Sequence, residues 1–202
     1  MPGTVRPIAD ERDGLLAYLA QQRLALRATV HGLTDEQARV KPSASGLSLG
    51  GLIKHAAQCE RGWVAGAIAN RLPETGRDWE AEFQLQEGET LESVLALYDE
   101  VAKETEAIIA EIPDLGQPVP VPPAPWYPKN VKFWSVRWVL LHLIEEVARH
   151  GGHADIVRES LDGKTWYELM AAAEGWDDVY AWAGHAIPED DFPPGSQEPR
   201  AS

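Results

Sequence analysis

Four separate stretches of this chain repeat their apolar residues at helical spacing, and none alternates in the two-residue way of a half-buried strand. Such a chain must bury helical stripes against one another, which predicts an all-α fold, an antiparallel four-helix bundle. The first stretch runs from about Ile8 to Gly32, with Leu15, Leu16, Leu19, Leu26 and Val30 as its stripe. The second begins after Ser48, a good N-cap, and reaches about Asn70. Leu49, Leu52, Ile53, Ala56, Trp63 and Ile68 lie on it. The third follows Thr90 and carries Leu91, Val94, Leu95, Tyr98, Val101, Ile108, Ile109 and Ile112 before Pro113 ends it. The fourth follows Ser135 and runs to about Leu161, where Asp162-Gly163 makes a stop. A short helical turn is predicted after Thr34, with Gln37 three residues on, and a further short helix over Trp166–Glu174.

The connectors set the organisation. Residues 71–89 read as a polar link, and the proline-rich run from Pro118 to Pro128 as a stiff, extended crossing. Both are long enough for crossovers rather than tight hairpins. Residues 1–175 are expected to form one bundle domain. Residues 176–202 are expected to be a C-terminal extension, its end having a disordered composition.

Composition excludes several classes. No apolar run approaches the roughly 20 residues of a membrane span, and the first residues lack the apolar segment of a secretory signal. The expectation is a cytoplasmic protein without a membrane partner. The single cysteine, Cys59, rules out an internal disulfide and reads as a small buried hydrophobe. A formal charge of −14, with no Lys/Arg run, argues against nucleic acid as a partner. The eight tryptophans read mostly as packing at helix ends.

The chemistry is concentrated in residues 142–153, His-Leu-Ile-Glu-Glu-Val-Ala-Arg-His-Gly-Gly-His. At about 100° per residue, His142, Glu146, His150 and His153 fall within roughly 80° of helix circumference. Val139 and Leu143 share that side and mark it as inward. Polar groups on a buried face need partners, and a divalent cation satisfies several at once. Glu146 and His150, four apart, are neighbours on one helix and suit two ligands of one ion. A third must come from a facing helix, and His55, set among Leu52, Ile53 and Ala56, is the best candidate. Two imidazoles and a carboxylate bind zinc or iron with positions left for water or substrate. His153 is an alternative to Glu146 as a ligand. His142 reads either as a core histidine on a backbone carbonyl or as a group supporting the metal; both it and His153 are candidates for moving protons. Asp155 and Arg158 read as an ion pair or surface groups, with Arg158 as the candidate contact for an anionic substrate or cofactor. His31 and His185 lie in loop-like surroundings and receive no role.

Three blocks carry a family resemblance. Gly32-Leu-Thr-Asp-Glu-Gln-Ala-Arg, Pro42-Ser-Ala-Ser-Gly-Leu-Ser-Leu-Gly-Gly-Leu-Ile-Lys-His55 and Glu146-Val-Ala-Arg-His150-Gly-Gly-His153-Ala-Asp resemble the DinB-like superfamily, above all its actinobacterial branch of thiol-related proteins. The resemblance covers roughly residues 8–175. It implies an antiparallel four-helix bundle holding a divalent metal on three side chains, matching His55, Glu146 and His150. Many members have histidine where this chain has Glu146; the glutamate is similar to the pattern of mycothiol-dependent maleylpyruvate isomerase. The resemblance also implies a low-molecular-weight thiol, such as mycothiol, as co-substrate.

The functional expectation is therefore a metal-dependent thiol S-transferase acting on electrophilic small molecules, with zinc the first choice of metal and iron or nickel the alternatives. A thiol-dependent isomerase, an iron oxygenase, a non-enzymatic metal-binding stress protein and a metal-free buried hydrogen-bond network are the competing readings. A homodimer is compatible with so short a bundle.

Overall fold

A computed structural model describes residues 4–71, 79–122 and 124–175. Its elements are α1 (Glu11–Ala28), α2 (Asp35–Arg39), α3 (Leu49–Arg61), α4 (Trp79–Glu82), α5 (Leu91–Glu111), the strands β1 (Pro118–Pro120) and β2 (Phe133–Ser135), α6 (Val136–Asp162) and α7 (Trp166–Glu174). The four long helices are those that the periodicity predicts, and the fold is the expected all-α bundle. α3 is central: it packs against both α5 and α6, and α1 lies along α6.

The helix starts follow from capping chemistry. Asp10, Ser48, Thr90 and Ser135 each accept the backbone N–H three residues on, satisfying a donor that the helix itself leaves open. α1 starts at Glu11 rather than near Ile8 because Asp10 takes the N–H of Asp13 at 2.9 Å. α6 stops where Gly163 turns left-handed, at φ 78°.

Two local readings are corrected. The second helix does not continue in α form to Asn70. It widens after Arg61 into a π-helical segment, Gly62–Ile68, in which the Ala69 N–H reaches back five residues to the Val64 carbonyl at 2.9 Å. Asn70, at φ 53°, closes it. The proline-rich crossing is also not strand-free. β1 and β2 pair antiparallel, with Val119 opposite Trp134 and Val119 turned into the core. The two prolines of β1 flank that one inward residue, so the stiff extended path predicted from composition becomes a short edge ladder.

α3 is buried almost throughout, because it is covered on two sides. Small residues make that possible. A Cβ on Gly50 would stand 2.5 Å from Leu85 Cδ1, and one on Gly51 would stand 1.9 Å from the Phe83 carbonyl oxygen. The connector between α3 and α5 therefore presses its backbone directly onto the first turn of α3. At the other end of α3, Glu60 is fully buried and accepts from Arg23 of α1 (3.0 and 2.5 Å) and from the Thr105 hydroxyl of α5 (2.6 Å). One carboxylate thus ties three helices together. The C-terminal extension expected at 176–202, with His185 and two tryptophans, lies outside the described residues.

Removing one partner of a buried ion pair strands the other charge. Glu60→Ala is expected to cost about 3–5 kcal/mol in urea unfolding. The double replacement Arg23→Met with Glu60→Leu should recover most of that loss. Equal losses in the two proteins would contradict this assignment.

Candidate metal centre

α3 and α6 pack against each other. There the middle of α3 presents His55, and two successive turns of α6 present Glu146 and His150. Glu146 Oε1 lies 3.3 Å from His55 Nε2 and 3.3 Å from His150 Nε2. One ligand atom from each of the three residues lies within 4.8 Å of the others. Ligands held about 2.0–2.1 Å from one ion at tetrahedral angles are roughly 3.4 Å apart, a value that the two 3.3 Å spacings to Glu146 match. The donor set, two imidazoles and a carboxylate, suits zinc, iron or nickel. No other group of three His, Cys, Asp or Glu side chains with such spacing occurs among the described residues.

The cluster is closed on one side and open on the other. His55 is 4% exposed, whereas the side chains of His150 and Glu146 are 13% and 25% exposed. Phe83, from the connector, stacks on the His55 ring with centroids 3.9 Å apart and planes 19° apart. His55 Nδ1 is buried and has no hydrogen-bond partner among the described residues, although Glu82 Oε2 stands 3.6 Å away.

These contacts shift the ionisations. Hydrogen bonds from His150 and then His55 hold the Glu146 carboxyl far below the usual carboxylate range, outweighing its partial burial. Burial alone would push the His55 pKa down. The Glu146 hydrogen bond and the nearby Glu146 and Glu82 carboxylates together exceed that effect and raise it.

The other sequence candidates divide. His153 Nδ1 lies 3.4 Å from His150 Nδ1, on the side away from Glu146, so it touches a proposed ligand without joining the group of three. His142 sits one turn before Glu146 but belongs to an aromatic cluster. It stacks on Trp138 (5.0 Å, 20°) and meets the edge of Trp63 (5.4 Å, 77°). Trp138 in turn stacks on Trp134 at 3.8 Å, and Tyr127 closes the group. Arg158 requires a correction as a ligand contact. It is 1% exposed, and its guanidinium is spent on the carbonyls of Thr29 (2.7 Å) and His31 (3.0 Å) and on Asp162 (2.9 Å). It fastens the α1–α2 turn to α6. Asp155 is half-buried, and burial pushes its carboxyl up. Cys59 is buried, as expected. Glu82 and Phe83 were missed, since residues 71–89 carry no helical repeat. The signal that points to them is the Gly50-Gly51 pair, two missing side chains at the start of a buried helix.

Comparison with known proteins gives this geometry a family. The sequence profile described as Mycothiol-S-transferase matches residues 14–163, a span that includes His55, Glu146 and His150. The chain belongs to the mycothiol S-transferase family. Among solved structures it is similar to the conserved protein of locus from Enterococcus faecalis, at 17% identity and a TM-score of 0.58, covering 77% of this chain and 99% of that one. At that identity the likeness concerns the fold alone. No curated protein matches the chain. The family's description implies a thiol and a small-molecule substrate, and no helix among the described residues is long and apolar enough to cross a membrane.

The raised His55 pKa gives a signed prediction for the metal-free protein. A group with a raised folded pKa stabilises the fold below its ordinary value, about 6.5 for histidine, and that contribution is lost as pH rises through the raised value. The stability difference between wild type and His55→Gln, from urea titrations in chelator, should therefore shrink as pH goes from about 6 to about 9. A difference that is flat or grows with pH would refute it.

Proposed function

We propose that this chain is a metal-dependent S-transferase that joins a low-molecular-weight thiol of the mycothiol type to an electrophilic small molecule. The observation that carries the reading is the convergence of His55, Glu146 and His150 within 4.8 Å, in a chain that matches the mycothiol S-transferase family over residues 14–163. His55, Glu146 and His150 would hold the ion, zinc by first choice. A divalent cation there would supply acidity to a coordinating thiol, favouring the nucleophilic thiolate at neutral pH.

The chain's own groups have separable tasks. Glu146 stays ionised across the physiological range, so the cluster offers an anionic donor without waiting for a proton to leave. His55 is sealed by Phe83 and closes the floor, which leaves the more exposed side of Glu146 and His150 for entry. His153, partly exposed and in contact with His150, is placed to accept a proton at its free ring nitrogen. The aromatic cluster of Trp63, Trp138 and His142 continues along α6 from the same level and offers an apolar wall beside it. In the transfer the thiol loses its proton and sulfur forms a bond to carbon. The carbon–halogen bond breaks and the halide departs with its electron pair, or an epoxide C–O bond breaks and its oxygen takes up a proton.

The test is direct. Zinc-loaded protein is incubated with mycothiol and a panel of chlorinated, epoxide and activated-alkene electrophiles, and conjugates are followed by mass spectrometry. Conjugation above background is expected, lost in His55→Ala and His150→Ala together with their bound metal. It should fall in His153→Ala without loss of metal. No conjugate across the panel would overturn the transferase reading. Isomerised maleylpyruvate in the same assay, without a conjugate, would put the isomerase in its place.

A further inference from the structure

The segment 82–89 is fixed onto α3 more firmly than a polar connector requires. Phe83 and Leu85 occupy the space left by Gly51 and Gly50. Lys54, itself buried, donates to the Gln84 carbonyl (3.2 Å) and to Glu89 (2.8 Å). Arg39 reaches over from α2 to the carbonyls of Leu85 (2.5 Å), Gln86 (3.3 Å) and Glu89. Two cations and two glycines therefore set the position of a short stretch whose first residues, Glu82 and Phe83, both face His55.

Those two residues address the ring from different directions. Phe83 lies flat on its face. Glu82 approaches its edge at Nδ1, on the far side from the Nε2 that meets Glu146. Glu82 is 7% exposed, and a carboxylate is placed in such surroundings at a cost. Its Oε2 stands 3.6 Å from His55 Nδ1. The Nδ1 it faces is buried and without a hydrogen-bond partner among the described residues. A histidine that ligates through one ring nitrogen characteristically donates its other N–H to a carboxylate, which sets the ring's tautomer and orientation.

We propose that Glu82 is a positioning residue of the metal centre, one that takes the Nδ1–H of His55 and so keeps Nε2 turned toward Glu146 and His150. The inference rests on the metal reading of the site. It adds a residue from outside the bundle helices, supplied by the connector and held in place by Gly50, Gly51, Lys54 and Arg39.

The test is the zinc affinity of the full chain, measured by competition with a chromogenic chelator, for wild type, Glu82→Ala and Glu82→Gln. Loss of such a supporting carboxylate typically weakens metal binding about 10- to 100-fold, which is the expectation for Glu82→Ala. Glu82→Gln keeps an acceptor oxygen of the same reach but not the charge, and should fall between the two. In the zinc-loaded protein the His55 Nδ1 proton should give a protected NMR resonance in wild type and Glu82→Gln, and be lost to exchange in Glu82→Ala. Wild-type affinity and an unchanged Nδ1 resonance in Glu82→Ala would overturn the inference while leaving the metal centre intact. Should Glu82→Ala fail to fold, Glu82→Gln decides alone: weaker binding supports the inference and equal binding overturns it. A wild type that holds no zinc overturns the site reading and this inference with it.

Discussion

An imidazole and two carboxylates share the inside of an apolar bundle here, and the structure around them is arranged to make that tolerable. Taking a charged group out of water costs several kcal/mol even after the protein relaxes around it. Hydrogen bonds within the cluster offset part of that cost, as the downward shift of Glu146 and the upward shift of His55 both record. A divalent ion at the level of His55 Nε2, Glu146 and His150 would supply a counter-charge to the Glu146 carboxylate there.

The same level of the bundle explains features that otherwise look unrelated. α3 carries glycines where the connector crosses it, because only a bare backbone lets Phe83 and Glu82 come within reach of His55. Beyond Arg61 the helix widens, and the π-helical segment begins with Gly62 and Trp63. Trp63 joins the aromatic group that stands one turn along α6 from Glu146. The buried Arg23–Glu60–Thr105 contact and the Arg158 clamp lie elsewhere on the same helices and fix their register. Register matters because a ligand set drawn from two helices fails when either helix slides by one residue.

Much of this was legible before any coordinates. Ser48, Thr90 and Ser135 mark helix starts, because a cap side chain acts within three residues of itself. Glu146 and His150 pair by helical spacing, which is equally local. His55 needed tertiary reasoning, and it was found because a histidine among Leu52, Ile53 and Ala56 has to face inward. Glu82 was not readable in this way, since a four-residue helix has no repeat and its partner lies 27 positions earlier in the chain. Arg158 was misjudged for the opposite reason. Its charge points to a ligand, but three backbone and side-chain acceptors from α1–α2 and α6 claim it only once those helices are packed. The β1–β2 ladder was concealed by prolines, which signal extension but give no donor to pair.

The most direct measurement of the central claim is metal analysis of untagged protein after exposure to excess zinc, joined to X-ray absorption at the metal edge. About one divalent ion per chain, bound by two imidazole nitrogens and an oxygen donor, is the result the proposed site predicts. Protein that retains no metal, or a coordination shell without histidine, would contradict it.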